Sequence, residues 1–175
     1  MRGARGEAWI HGLWAQGVQE SSWSGVPVRM ILSQIHNRSW AVFIARAILG
    51  LIFFMAGYWK VFTLGPVEHA QRWFVGPYSE TFLPVWSLWA TGTVVPVVEL
   101  TAGALVLIGL WTRPALLALG AILILVTFGH LLAEPLYEFH THVMPRVALL
   151  LFILSMPDAD DCISLDYWLA RRKLL

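Results

Sequence analysis

Long apolar stretches separated by short polar connections dominate the chain. A membrane-spanning helix needs about 20 mostly apolar residues, and four stretches approach or exceed that length: 40–62, 83–111, 114–133 and 139–156. The pattern predicts an all-α fold, with an antiparallel bundle of four transmembrane helices over residues 40–157. The fourth stretch is the shortest and carries Pro145 and Arg146.

The segments that flank this domain are more polar. In residues 1–39, Ile10, Leu13, Trp14 and Gly17 recur at helical spacing, so we expect an amphipathic extension at the membrane surface. Residues 158–175 form a tail with a short predicted helix. The loop over residues 63–82 contains V-E-H-A-Q-R-W-F, which predicts a short interfacial helix. A cleavable signal peptide is not expected, because no apolar core soon follows the first arginines.

Composition supports a membrane protein and excludes other classes. Of 175 residues, 58% are hydrophobic and 13% are charged, against about 25% charged in soluble domains. A soluble enzyme of this size cannot bury so much apolar surface, and a disordered chain would be far more polar. The net charge of +1 gives no electrostatic basis for binding nucleic acid.

The basic residues are distributed unequally between the two sides of the predicted bundle. One side has only Lys60 and Arg72, whereas the other carries Arg2, Arg5, Arg29, Arg38, Arg113, Arg171, Arg172 and Lys173. Since basic loops stay in the cytoplasm, we expect both termini to be cytoplasmic in a multi-pass protein.

Three charged residues lie inside the predicted spans, where an unpaired charge is costly. Arg46, Glu99 and Arg146 fall at similar depths, counted at about 1.5 Å per residue, and Lys60 shares a helix face with Arg46. These four residues are therefore predicted to line a polar intramembrane pocket for a quinone carbonyl or a proton relay. The alternative is a structural salt bridge that fixes the register of the helices.

A second polar cluster follows the third stretch and consists of His130, Glu134, Glu138, His140 and His142. Imidazole and carboxylate groups suit a divalent metal, although the spacing matches no strong metal motif. The alternative is that they are solvated loop residues. The single cysteine, Cys162, lacks the basic neighbour that activates a catalytic thiol.

Several short motifs occur in a characteristic order. They are R-A-I-L-G at 46–50, A-G-Y-W-K at 56–60, Glu99 ahead of G-L-W-T-R at 109–113, and S-L-D at 164–166. In these motifs the chain resembles the DoxX family of small bacterial membrane proteins, including the DoxD-type subunits. The resemblance covers about residues 40–170, while the N-terminal extension and the A-D-D-C approach to S-L-D at 159–162 depart from the family pattern.

The resemblance implies a four-helix protein of the bacterial inner membrane, associated with a quinone-linked redox complex. It implies quinone as a ligand, with no intrinsic cofactor, and the lipid bilayer and other complex subunits as partners. Whether the chain is itself an enzyme stays open; any activity would belong to a membrane oxidoreductase. The alternatives are a non-catalytic anchor or assembly subunit, and a membrane protein that handles a metal or small solute.

Overall fold

Helices make up most of the described part of the chain. The computed structural model describes residues 28–134 and 141–172, and these contain no β-strand. The α-helices are α1 (Val28–Tyr58), α2 (Pro66–Ala70), α3 (Gly76–Tyr78), α4 (Val85–Ile108), α5 (Thr112–Ala133), α6 (Val143–Ser155) and α7 (Leu165–Arg172). The all-α prediction is confirmed for these residues.

Three helical segments are long and apolar enough to cross a membrane: Asn37–Leu64, Val85–Ile108 and Thr112–Ala133. They coincide with the first three predicted spans. The fourth predicted span, 139–156, corresponds to α6, an apolar helix that is only 13 residues long. Its predicted start lies outside the described residues, so a fourth crossing stays a prediction.

Helix α1 extends on the N-terminal side of the first predicted span. Helix α1 begins at Val28 rather than near residue 40, because residues 28–39 contain no proline or glycine that would interrupt it. The proposed amphipathic segment around Ile10 to Gly17 lies outside the described residues.

The loop between the first two spans is largely helical. A π-helical segment, Trp59–Leu64, continues α1, and a second one, Gln71–Val75, joins α2 to α3. The short helix predicted from V-E-H-A-Q-R-W-F is therefore confirmed. A π-helix is rare and occurs often at functional sites, and both segments lie beside the cavity described below.

Helices α1 and α4 pack closely at glycines. A β-carbon on Gly50 would lie 2.7 Å from the Leu107 nitrogen, and one on Gly103 would lie 2.5 Å from the Phe54 nitrogen. Substitution at either position would force the helices apart, as expected of small residues at membrane helix interfaces. This close approach holds Lys60 of the first span beside Glu99 of α4.

Buried apolar side chains from four helices form one core. Its fully buried members include Val42, Leu49, Val106, Leu116 and Leu119, and Leu150 and Ile153 join them from α6. Many other apolar residues face outward; Ile124, for example, is 73% exposed. Such apolar exteriors suit contact with lipid rather than water.

Candidate functional site

A cavity of about 440 Å³ lies between the ends of the first three spans and the helical loop. Its size falls within the usual range of small-molecule sites. The apolar lining comes mainly from Trp59, Trp73, Phe74, Leu88, Val95, Leu125, Val126 and Phe128. The polar lining consists of Lys60, His69, Tyr78, Ser87, Thr91 and His130. Such a lining suits a molecule with an apolar body and a small polar head.

Lys60 brings a positive charge to the cavity wall. Its ammonium nitrogen, Nζ, lies 2.5 Å from the Glu99 oxygen Oε2. The Lys60 side chain is 23% exposed and that of Glu99 is 8% exposed. Lys60 is therefore partly exposed, while the more deeply buried Glu99 supplies its counter-charge.

His69 of α2 is almost completely buried and lines the same cavity. Its ring nitrogen Nδ1 lies 2.7 Å from the Gly92 carbonyl oxygen, and its ring lies 5.6 Å from that of Phe74. Burial lowers the pKa of His69 below its ordinary value, and the charge of Lys60 acts in the same direction. The imidazole is therefore neutral at pH 7.

Gly92 allows this contact because it lies against α2. A β-carbon there would lie 2.6 Å from the Ala70 α-carbon, so a larger residue would push α2 away. The same close approach brings the Gly92 carbonyl within hydrogen-bonding distance of His69.

Two further polar side chains of the cavity are already bonded to backbone carbonyl groups. The Tyr78 hydroxyl donates to the Gly129 carbonyl at 2.8 Å, and the Ser87 hydroxyl donates to the Pro84 carbonyl at 2.7 Å. Burial raises the pKa of Tyr78 above its ordinary value, so its hydroxyl stays protonated at neutral pH.

Arg46 belongs to a separate arrangement, near the other end of α4. Its guanidinium donates to the carbonyl oxygens of Val106 at 2.8 Å and Leu107 at 3.0 Å. It also donates to the Ile163 carbonyl at 2.8 Å, and its Nε lies 3.3 Å from the Asp161 carboxylate. A cation at this position donates to carbonyls at the end of the helix, where intrahelical donors run out.

The tail is held to the turn between α4 and α5 by Asp166. Its carboxylate accepts hydrogen bonds from the backbone nitrogens of Trp111 and Thr112, both at 2.9 Å. Its own backbone nitrogen donates to the Gly109 carbonyl at 2.8 Å. The Ser164 hydroxyl accepts from the Tyr167 nitrogen, so it caps α7. The S-L-D motif thus ties the tail to the beginning of α5. We call Arg46, Asp161, Ser164 and Asp166 the tail cluster.

The predicted intramembrane pocket is therefore divided in the structure. Lys60 and Glu99 are together, but Arg46 pairs with Asp161 rather than with Glu99. Arg146 donates to the His142 carbonyl at 2.7 Å and lies 5.9 Å from the centre of the Phe53 ring. Residues at similar depth in a membrane do not necessarily lie on facing sides of neighbouring helices. Arg46, Glu99 and Arg146 therefore have separate partners.

The predicted His and Glu cluster is only partly described. His130 lines the cavity, Glu134 is exposed at the end of α5, and His142 is exposed before α6. Glu138 and His140 lie outside the described residues. Within residues 28–134 and 141–172, no group of three or more potential ligands could hold a metal. Metal binding by the whole cluster thus stays a prediction.

Sequence reasoning did not identify His69, Tyr78 and Ser87 as lining residues of one cavity. The first two lie in the loop that was interpreted as interfacial, where a histidine or tyrosine carries no spacing motif. A usable signal was the recurrence of apolar residues at positions 67, 70, 73 and 74, a spacing that indicates a helix.

The long apolar helices and their outward apolar surface define a helical membrane protein. The model of one protein family, DoxX, matches residues 41–131, just over half of the chain. The chain belongs to the DoxX family. The matched region contains Arg46, Lys60, His69 and Glu99 but ends before the S-L-D motif. No curated protein and no solved structure matches the chain.

Proposed function

We propose that this DoxX-family membrane protein is a subunit of a quinone-linked redox complex and that its cavity holds the quinone head group. The observation that carries the proposal is the cavity of about 440 Å³, walled by aromatic residues with Lys60 at its edge. An aromatic wall favours stacking with a flat ring. An ammonium group favours an electron-rich carbonyl oxygen.

The surroundings of the cavity support a ligand that arrives from the membrane. Ile124 and Phe128, on the same helix, are both more than half exposed on an apolar surface. A long apolar tail on the ligand would remain in contact with this surface or with lipid, while the head group reaches Lys60. Under the orientation predicted from the basic residues, the cavity lies towards the external side of the inner membrane.

The experiment is to purify the full chain in mild detergent and measure the quinone that co-purifies, by solvent extraction and mass spectrometry. Thr91 lines the cavity, so Thr91→Phe should fill it and reduce retained quinone by about tenfold or more, equivalent to about 1.4 kcal/mol. Thr101 lies on the same helix, is exposed, and lies outside the cavity lining. Thr101→Phe should therefore retain quinone like the unaltered protein.

A non-catalytic anchor or assembly subunit is the second candidate. The tail cluster favours it, because Arg46 holds α4 and the tail together through carbonyl groups of both and through Asp161. A stoichiometric protein partner without retained quinone, together with equal behaviour of the two threonine variants, would favour this function over the first.

A further inference from the structure

The hydrogen-bond partners of the polar side chains in the cavity wall decide which of these side chains can still donate. Three of its polar side chains, those of His69, Tyr78 and Ser87, have backbone carbonyl groups as partners. A carbonyl oxygen can only accept a hydrogen bond, so each of the three side chains must supply the hydrogen.

For His69 this fixes the tautomer. The Gly92 carbonyl requires the hydrogen on Nδ1, and a neutral imidazole has only one N–H. The other ring nitrogen, Nε2, is then an acceptor with a free lone pair. Because His69 lines the cavity, this acceptor is available to a ligand that donates a hydrogen bond.

The same reasoning applies to the two hydroxyl groups. Tyr78 gives its hydrogen to Gly129, and Ser87 gives its hydrogen to Pro84. Each oxygen keeps lone pairs and has no further hydrogen to donate. Three polar groups of the wall are therefore acceptors, whereas Lys60 supplies a positively charged donor.

We infer that the cavity selects a ligand that itself donates hydrogen bonds, namely a hydroxylated aromatic head group. The inference rests on the proposed function, and for a quinone it specifies the reduced form. A quinol carries two hydroxyl groups, one of which donates to an acceptor such as His69 Nε2 while an oxygen accepts from Lys60. The oxidised quinone has only acceptor oxygens, so it satisfies Lys60 and leaves the acceptors of the wall unpaired.

The test compares the two redox forms of one ligand on the full chain in mild detergent. Decylubiquinone and its chemically reduced quinol are equilibrated with the protein without oxygen, and the free ligand is measured after ultrafiltration. The unaltered protein should bind the quinol about tenfold more tightly, which equals about 1.4 kcal/mol. This comparison needs no variant and therefore does not depend on whether a variant folds.

Two substitutions at His69 then test the roles of its two ring nitrogens one at a time. In His69→Asn, the amide nitrogen can replace Nδ1 towards Gly92, but no acceptor remains at the Nε2 position. In His69→Gln, the amide oxygen can lie near that position and accept. His69→Asn should bring the preference for quinol close to one, and His69→Gln should keep most of the preference.

The outcomes distinguish this inference from the function on which it rests. If neither form binds to the unaltered protein, the proposed quinone function fails. If both forms bind equally, or if the quinone binds more tightly, the inference that the cavity selects a hydrogen-bond donor is overturned. The proposed quinone binding is then still supported. A preference for quinol that survives unchanged in a folded His69→Asn protein would also overturn the role of Nε2.

Discussion

At the scale of single residues, Arg46 and Lys60 each have a carboxylate partner of their own. Arg46, with a relative exposure of 1%, is held by three carbonyl groups and by Asp161. Lys60 is held by Glu99. An ionised group in a low dielectric needs such compensation. The two pairs therefore respond separately to substitution.

The Lys60 and Glu99 pair should behave as one unit in stability measurements. Glu99→Gln leaves the Lys60 ammonium without its counter-charge, and breaking one side of a buried pair costs about 3–5 kcal/mol in soluble proteins. In a membrane the cost is smaller, because the unfolded helices are also embedded. The double variant Lys60→Gln with Glu99→Gln should recover most of the lost thermal stability in detergent.

The control for this prediction is Arg46→Gln with Glu99→Gln. Since Arg46 is bonded to Asp161 and to the Ile163 carbonyl, and not to Glu99, this double variant should be less stable than either single variant. Recovery in this control, and none in the Lys60 double variant, would show that Glu99 pairs with Arg46 instead.

Asp161 gives a prediction about pH. Burial raises the pKa of Asp161 above its ordinary value, although the Arg46 guanidinium acts against the shift. A raised pKa means that the protonated form is favoured in the folded state, so the contribution of Asp161 to stability is greatest below about pH 3.9. It is lost as the pH rises through the pKa of the folded state.

The measurement is thermal unfolding of the unaltered protein and of Asp161→Asn over a pH series. The stability of the unaltered protein relative to Asp161→Asn should fall as the pH rises from about 3.9 towards neutrality. A difference that grows with rising pH would contradict the direction of the shift and show that Arg46 dominates over burial.

At the scale of elements, the tail acts as a clamp on the turn between α4 and α5. Gly109 ends α4 with a φ of 73°, and a β-carbon at this position would lie 2.6 Å from the Arg46 guanidinium. Trp111 follows with a φ of 49°, a conformation that is costly for a residue other than glycine. The hydrogen bond from Trp111 to Asp166 helps to hold this turn.

Removal of the Asp166 carboxylate should therefore destabilise the protein. Asp166→Ala removes two hydrogen bonds at the beginning of α5, and loss of a helix cap costs about 0.5–2 kcal/mol. Asp166→Asn keeps one acceptor oxygen and should cost less. Thermal unfolding in mild detergent measures both. Asp158→Ala is the matched control, because Asp158 is 82% exposed beside Arg113 and should matter little. Equal losses of stability in Asp158→Ala and Asp166→Ala would contradict this role of the Asp166 carboxylate.

Single helices were easier to predict than contacts between them. The first three spans follow from apolar length alone, and all three are present. The partner of Glu99 did not follow, because helical phase relates residues on one helix and leaves the rotation of its neighbours undetermined. Asp161 was interpreted only as a tail residue, and its return to Arg46 depends on the chain folding back at Pro157.

At the scale of the whole molecule, the tail cluster and the cavity are separate features. The tail cluster holds one end of α4, while the cavity is built around the other half of that helix and the helical loop. Membership of the DoxX family was predictable from the order of short motifs, and the family model confirms it. The cavity was not predictable, since its lining comes from segments far apart in the sequence.

The central claim is that the cavity receives the quinone head group. Its most direct test is to irradiate the full chain in detergent with a photoreactive azidoquinone and to map the adducts by mass spectrometry. The account predicts adducts on the lining segments, 59–78, 83–95 and 125–130, and their loss in Thr91→Phe but not in Thr101→Phe. Adducts concentrated at the tail cluster, or labelling that is indifferent to both substitutions, would contradict it.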